Sequence, residues 1–380
     1  MGFTFIHFSD SHLGFSDFEI YDEQTKFNLR EEDVYNAFAQ VIDYAISNKV
    51  DFLIHSGDIF HRSTPQNRAL VFLTDQLLKL EKAQIPIYII AGNHDFPKTA
   101  LTTPIHGIYN AFKMVKFIFE EKYLPIITEH ANLHFLPHIN SEEGYLSELN
   151  NVSILKNNKP NIFITHVSMP SYLLYESGER ILPENVLTKL SDFDYVALGH
   201  WHKFRHFANY GNTYYSGSTE RISEKEIDYD KYFLIIEYNN TINVTPIKLN
   251  LRPIIQISVN SCYSLTKKEI INNLIQQINQ HPIPGSIFLI KLLDAKNEQR
   301  YEITNTDLEE LLKDSLFYRL SYQLKDSDKE IITDSESFDF EGYLFSNMKG
   351  EFEDENEFLF ASKITKLILD EIEEEESNEN

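Results

Sequence analysis

Histidine, aspartate and asparagine recur in five short motifs of this 380-residue sequence, each directly after a run of apolar residues. In chain order the motifs read DSH, GDIFH, GNHD, TH and GHWH. They supply the donors Asp10, His12, Asp58, Asn93, His166, His200 and His202. Seven oxygen and nitrogen donors exceed the four ligands of a single tetrahedral zinc. They fit two ions that share a carboxylate, an arrangement that supports in-line displacement at phosphorus.

The donor types also indicate which ion would bind. Oxygen and nitrogen ligands without a thiolate favour manganese over copper or structural zinc. The alternation in Asp10-x-His12 and in His200-x-His202 predicts that each pair projects from one side of an extended backbone. A single motif of this kind is usually a turn with a solvated histidine, whereas the five in order indicate a metal site.

Two histidines beside the motifs, His61 and His94, remain after the ligands are assigned. Imidazole exchanges protons near neutral pH, so both residues suit proton transfer to or from a reacting group. His7 and His55 lie within predicted strands and are expected to pack in the core. Four others match no motif and are expected at the surface or in packing: His106, His134, His138 and His206.

The elements that must position these side chains alternate between strands and helices. The segments FTFIHF, VDFLIH and IPIYIIA are near-continuous apolar runs, as in buried strands. Residues 34–47 and 67–80 place apolar side chains at three- and four-residue spacing, which predicts two helices. This order predicts an α/β fold in which helices cover the sheet. Ligands bind such folds outside the carboxyl ends of the strands, where all five motifs fall.

The pattern changes near residue 250. Two apolar segments, RPIIQISV and GSIFLIKLL, flank a predicted helix that begins with a Thr266/Glu269 capping box. A second helix near Thr306 and a strand LFYRLSYQL complete a predicted small α+β module. We therefore divide the chain into a core of residues 1–250, a capping domain of residues 251–328, and an acidic tail of residues 329–380. In the tail, Ile364, Leu367, Ile368 and Ile372 recur at helical spacing.

The formal net charge is −24, and residues 351–380 contain twelve acidic residues against two lysines. An acidic surface does not attract phosphate groups unaided, so a phosphate-directed function requires bound metal or a cationic partner. No apolar run approaches the ~18 residues of a membrane span, and no secretory signal is evident at the N-terminus. The single Cys262 fits a reducing compartment. We expect a cytoplasmic protein.

The motifs, over about the first 205 residues, resemble the signature of calcineurin-like metallophosphoesterases. SDSHLGF and LREEDVYNAFAQVIDYAI are similar to the SbcD-type branch, DNA repair nuclease subunits related to the meiotic-recombination-eleven nucleases. His61 stands where Ser/Thr phosphatases of the superfamily carry Asp. YYSGSTER resembles the closing segment of the branch, with Ser216 in place of its usual Pro. The resemblance implies a β-sandwich core flanked by helices, a small capping domain and a C-terminal helical tail.

The resemblance also implies roles for the motif residues. Asp10, His12 and His202 would hold one metal, and Asn93, His166 and His200 the other, with Asp58 bridging the two. His94 would contact the scissile phosphate and protonate the leaving oxygen, and His61 would lie against His94. The basic residues next to the motifs could contact the DNA backbone: Arg62, Lys203 and Arg205.

The implied function is a two-metal-dependent DNA nuclease with 3′–5′ exonuclease and endonuclease activity on double-strand breaks or hairpins. The resemblance implies a homodimer bound to an SMC-like ABC ATPase of the SbcC type, which would supply cationic DNA contacts. Two alternatives stay open. One is a calcineurin-like phosphoesterase that acts on a phosphoprotein or a nucleotide. The other is a catalytically idle assembly subunit that recruits the ATPase.

Overall fold

The computed structural model of the protein describes residues 2–96, 104–174 and 179–325. The predicted acidic tail, residues 329–380, lies outside these ranges. Among the described residues, no helix combines the length and apolar character needed to cross a membrane.

The described residues form fifteen strands and seven α-helices, joined by short 3₁₀ turns. The strands are β1 (Phe3–Phe8), β2 (Phe52–His55), β3 (Ile87–Ile90), β4 (Val115–Ile118), β5 (Leu124–Ile127), β6 (Asn132–Leu136), β7 (Asn161–His166), β8 (Tyr195–Gly199), β9 (Arg205–His206), β10 (Thr213–Tyr215), β11 (Tyr232–Tyr238), β12 (Ile242–Lys248), β13 (Ile254–Val259), β14 (Ile287–Ala295) and β15 (Phe317–Leu324). The helices are α1 (Leu29–Asn48), α2 (Asn67–Ala83), α3 (Glu142–Asn151), α4 (Glu184–Leu187), α5 (Lys267–Ile278), α6 (Gln299–Glu302) and α7 (Glu309–Leu312).

Two six-stranded sheets make the core, with strand orders β12-β11-β1-β2-β3-β4 and β5-β6-β7-β8-β10-β9. Strands β1 to β4 are mutually parallel, and so are β6, β7, β8 and β10. One apolar cluster joins the facing sides, with Phe5 and Phe52 from the first sheet and Ile164 and Ala197 from the second. A second cluster packs α1 and α2 on the outer side of the first sheet. The predicted β-sandwich flanked by helices is therefore confirmed.

Helix α1 begins earlier than residue 34, where the apolar periodicity starts. Asn28 caps it, because its side chain accepts hydrogen bonds from the backbone N–H groups of Arg30 and Glu31. The first turn buries charged side chains, and Arg30 pairs with Asp33 at 2.8 Å. This turn is stabilised by ion pairs, so an apolar pattern could not reveal it.

Residues 251–325 have a hydrophobic core of their own, built from α5, β13, β14 and neighbouring segments. The capping box of Thr266 with Glu269 is present as predicted. The α+β interpretation is wrong, because β13, β14 and β15 are all parallel and are joined by helical crossovers.

The prediction of a continuous second helix near Thr306 in this module is also wrong. The chain forms a 3₁₀ turn over Asn305–Asp307, capped by Thr304 with Asp307, and then only the single turn of α7.

Candidate metal centre

The carboxyl ends of β1, β2, β3, β7 and β8 meet at one edge of the sandwich, and all seven predicted ligands lie there. Asp10 and His12 follow β1, Asp58 follows β2, Asn93 follows β3, His166 ends β7, and His200 and His202 follow β8. Their side-chain donor atoms form two groups, and Asp58 Oδ2 lies within 4 Å of a histidine nitrogen in each.

The first group contains Asp10, His12 and His202. The Nε2 atoms of His12 and His202 face each other at 3.2 Å. Asp10 Oδ1 lies 4.0 Å from His202 Nε2, and Asp58 Oδ2 lies 3.8 Å from His12 Nε2. Two imidazole lone pairs at this separation repel unless a proton or a cation lies between them. The donor set therefore fits a divalent cation.

The second group is arranged around Asn93. Its Oδ1 atom lies 3.0 Å from His166 Nε2 and 3.2 Å from His200 Nδ1. Asp58 Oδ2 lies 3.3 Å from the same His166 atom. One carboxylate oxygen thus lies close to both groups, in the position that a bridging ligand would occupy.

The backbone at these residues differs from the prediction. Asp10, His12, Asp58 and His200 have φ values of 51°, 44°, 56° and 99°, in the left-handed region. The expectation that Asp10-x-His12 and His200-x-His202 project from an extended backbone is therefore wrong. The side chains converge here through tight turns. Each non-glycine residue in the left-handed region costs about 1–3 kcal/mol, and such residues recur at functional sites.

Three of the four histidines in the two groups present their second ring nitrogen to an oxygen outside the groups. His166 Nδ1 lies 2.9 Å from the Ser56 carbonyl oxygen. His200 Nε2 lies 3.2 Å from Glu179 Oε1, and His202 Nδ1 lies 3.0 Å from Glu226 Oε1. Such contacts orient metal-binding histidines. Sequence reasoning missed Glu179 and Glu226, because neither lies in a motif.

Burial and neighbouring charge shift the pKa values of Asp58, Asp10 and His12. Burial on its own raises the pKa of Asp58, but the imidazole of His166 and other rings outweigh it and hold that pKa well below its usual range. At Asp10 burial dominates and raises the pKa. Burial lowers the pKa of His12 well below its ordinary value, which favours the neutral ring that metal binding requires.

His94 and His61 lie beside the first group, as predicted. The rings stack with centroids 5.8 Å apart, and the His94 ring meets that of His12 edge-on at 4.9 Å. His94 Nδ1 lies 3.0 Å from the His61 carbonyl oxygen. Since a carbonyl oxygen only accepts, Nδ1 carries the proton, and Nε2 is the atom able to exchange one. Burial and His94 lower the pKa of His61 to about 4.

Asp95, the last residue of GNHD, fixes the turns that hold the ligands. Its carboxylate accepts hydrogen bonds from the backbone N–H groups of Gly92, Ile59 and Phe60 at 3.0, 3.2 and 3.0 Å. It therefore ties the loop after β3 to the loop after β2, and the N–H of His94 donates to Asp58 Oδ1 at 2.9 Å.

The remaining histidines lie apart from the two groups. His7 contacts the Tyr195 hydroxyl and Ser56 Oγ, and His55 contacts Ser11 Oγ, each at 2.9 Å, which confirms their expected core positions. Of the six others, His106, His134 and His138 are buried, His130 is half-buried, and His206 and His281 are exposed.

Sequence comparisons find known proteins that are similar to the chain. Three archaeal proteins named DNA double-strand break repair protein Mre11 are similar to the chain. The Sulfurisphaera tokodaii protein is 35% identical over 60% of this chain and 56% of its own length. The Saccharolobus solfataricus protein is 27% identical over 83% of this chain and 81% of its own. The Methanocaldococcus jannaschii protein is 29% identical over 74% of this chain and 76% of its own.

The chain thus spans just over half the length of the first of these relatives. The family model for calcineurin-like phosphoesterases matches residues 3–204, which include all seven donors and both adjacent histidines. Because this match covers more than half of the chain, the protein belongs to the calcineurin-like phosphoesterase family.

Proposed function

We propose that the protein is a two-metal-dependent DNA nuclease that hydrolyses phosphodiester bonds. Its activities would be 3′–5′ exonuclease and endonuclease, used on double-strand breaks or hairpins. The observation that carries this proposal is the pair of donor groups sharing Asp58 Oδ2, with His94 beside them. The relatives are named DNA double-strand break repair proteins, which supports DNA as the substrate.

Each residue in the site has a proposed part. Asp10, His12 and His202 hold the first ion, Asp58 bridges, and the second ion is held by Asn93, His166 and His200. Manganese is favoured by the oxygen and nitrogen donors. When bound, the two ions neutralise phosphoryl charge and make water more acidic.

The adjacent histidines supply the proton chemistry in this proposal. His94 directs Nε2 at the substrate, since Nδ1 is held by the His61 carbonyl oxygen. As the imidazolium it donates its Nε2 proton to the leaving oxygen and becomes the neutral ring with the proton on Nδ1, a role that imidazole performs well near neutral pH. The neutral His61 ring packs against His94 and limits its rotation.

The acidic composition makes a partner part of the proposal. Arg62, Lys203 and Arg205 are exposed close to the motifs and could contact DNA backbone, but the chain carries a net charge of −24. We propose that a homodimer of this chain binds an SMC-like ABC ATPase of the SbcC type, whose cationic surface completes the DNA site.

A cleavage assay tests the function directly. Full-length protein would be incubated with linear duplex, hairpin and plasmid DNA, with manganese, with magnesium and with chelator. We expect cleavage with manganese, less with magnesium and none with chelator. Asp58→Ala should be inactive. The control Asp43→Ala, which alters an exposed carboxylate on α1, should be unchanged.

Parallel incubations with a phosphopeptide and with nucleotides separate the alternatives. Hydrolysis of either without DNA cleavage would overturn the nuclease proposal in favour of another phosphoesterase. Two bound ions with no hydrolysis of any substrate would favour the idle assembly subunit.

A further inference from the structure

A buried ion pair lies directly behind His202. The side chains of Lys231 and Glu226 are 1% and 8% exposed, and Lys231 Nζ lies 2.5 Å from Glu226 Oε2. Removing both charges from water costs several kcal/mol per ion, and their attraction offsets this only when the remaining polar atoms are also paired. A buried pair of this kind is therefore weak evidence for stability, and its contacts indicate another role.

Those contacts converge on His202. Glu226 Oε1 lies 3.0 Å from His202 Nδ1, while Lys231 Nζ donates to the backbone carbonyl of the same residue at 2.8 Å. Lys231 also donates to Ser218 Oγ at 2.7 Å. The three N–H bonds of the ammonium thus match three acceptors. Ring and backbone of His202 are both tied to one pair of side chains.

The loop beneath His202 leaves little room for another arrangement. Gly217 has a φ of 82°, and a Cβ atom added there would lie 2.9 Å from the His202 carbonyl oxygen. Ser218, the next residue, also donates from its backbone N–H to that oxygen at 3.2 Å. The peptide group of His202 is therefore fixed from two sides, by this loop and by Lys231.

We propose that Glu226 and Lys231 are positioning residues for the first metal group, an inference that rests on the proposed function. Glu226 accepts from Nδ1–H of His202 and so directs the lone pair of Nε2 toward His12. Lys231 holds the carboxylate and the backbone of His202 in register. The second group uses different orienting oxygens, from Ser56 and Glu179, so the effect should be confined to one ion.

Manganese calorimetry on the full chain tests this inference. Glu226→Gln keeps the size and an acceptor oxygen but removes the negative charge. We expect one manganese site to weaken on the order of 10–100-fold and the other to stay unchanged, as for other partners that orient a metal ligand. The matched control is Asp230→Asn, which removes the exposed pair of Asp230 with Lys248, 2.7 Å apart. Both sites should be unchanged in the control.

The single variant leaves Lys231 buried without its counter-charge, so a double variant is needed. Glu226→Gln with Lys231→Met removes both charges. It should melt at a higher temperature than Glu226→Gln alone in chelator, while the first manganese site stays weak. Recovery of that site together with the melting temperature would overturn the inference, because the defect would then be one of folding.

Other outcomes also decide the matter. Two unchanged manganese sites in Glu226→Gln, or two sites weakened alike, would overturn the positioning role. A selective loss of one site supports it. These titrations contain no DNA, so failure of the wild-type protein to cleave DNA would overturn the nuclease proposal while the selective loss would still be measured.

Discussion

Asp58 lies close to both donor groups, since its Oδ2 atom is 3.3 Å from His166 Nε2 and 3.8 Å from His12 Nε2. We predict that Asp58→Ala abolishes manganese binding at both sites, because each loses a shared ligand. His202→Ala should weaken mainly one site. Calorimetry with manganese measures both variants. Two intact sites in Asp58→Ala would contradict the bridging assignment.

Substitution of His94 should separate the binding of metal and DNA from the rate of cleavage. We predict that His94→Gln retains both ions and DNA, because the backbone N–H that donates to Asp58 is kept. Turnover should fall about 10²–10⁴-fold, the usual cost of removing a general acid. Single-turnover cleavage and calorimetry on the same sample measure the two effects. Normal cleavage, or loss of the ions, would show that the proton-donor role is wrong.

The candidate ligands were predictable from the sequence, and the carboxylates that contact them were not. Asp10, Asp58 and Asn93 each follow an apolar run, so local pattern predicts their place at strand ends. Glu226 contacts a histidine 24 residues away and lies in a polar segment without a motif. Only the three-dimensional approach of β8 and the loop before β11 brings the two together.

At the scale of elements, the strand tips must approach one another closely, and Gly92 shows how closely. A Cβ atom added there would lie 2.1 Å from Asp58 Oδ1 and 2.6 Å from the backbone nitrogen of Asp58. We predict that Gly92→Ala displaces this carboxylate, weakens manganese binding at both sites and destabilises the fold by about 1–3 kcal/mol. Calorimetry and thermal melting measure these effects.

Gly107 provides the matched control for this substitution. It lies in a 3₁₀ turn, Ile105–Ala111, and an added Cβ atom would meet nothing within 4 Å. Gly107→Ala should bind manganese as the wild-type protein does. Equal effects of the two substitutions would show that the close approach at Gly92 is not what holds Asp58 in place.

An element was predictable from the sequence where it packs a single apolar face against the core. Residues 67–80 show this pattern, and α2 spans Asn67–Ala83. The pattern failed where polar contacts set the structure. The first turn of α1 is held by the pair of Arg30 with Asp33, and the chain near Thr306 breaks into short turns because Thr304 and Asp307 cap each other. Such contacts leave no periodic signal.

At the scale of the whole molecule, the capping module is tied to the core by charge. Arg252 donates to both carboxylate oxygens of Asp33, at 2.8 and 2.9 Å, and to the carbonyl oxygen of Gly285. Asp33 also forms an ion pair with the buried Arg30. One carboxylate on α1 therefore links the core to the segment that leads into the first strand of the module. This contact could not be predicted from the sequence, because Asp33 and Arg252 are 219 residues apart and only the fold brings them together.

The last prediction concerns the proposed tail, residues 329–380, which lies outside the described residues. All seven proposed metal ligands lie between residues 10 and 202, and the three strands of the module end at Leu324. The helical spacing of Ile364, Leu367, Ile368 and Ile372 predicts an apolar face, and we propose that this face lies in a groove of the proposed partner ATPase. Truncation after Asp334 should therefore keep manganese-dependent cleavage of single-stranded DNA and abolish co-purification with the ATPase.

Deletion of only the terminal EEEESNEN provides the control, because it removes acidic charge and spares the predicted helix. This shorter deletion should still bind the ATPase. Unchanged affinity of the long truncation would show that the tail is not the docking element. A large loss of thermal stability in the long truncation, with cleavage also lost, would indicate instead that the helix packs on the chain itself. Three quantities should be measured on the full chain, the long truncation and the short deletion: affinity for the ATPase, cleavage and melting temperature. Together they distinguish a docking role of the tail from a folding role, and both of these from an effect of its acidic charge.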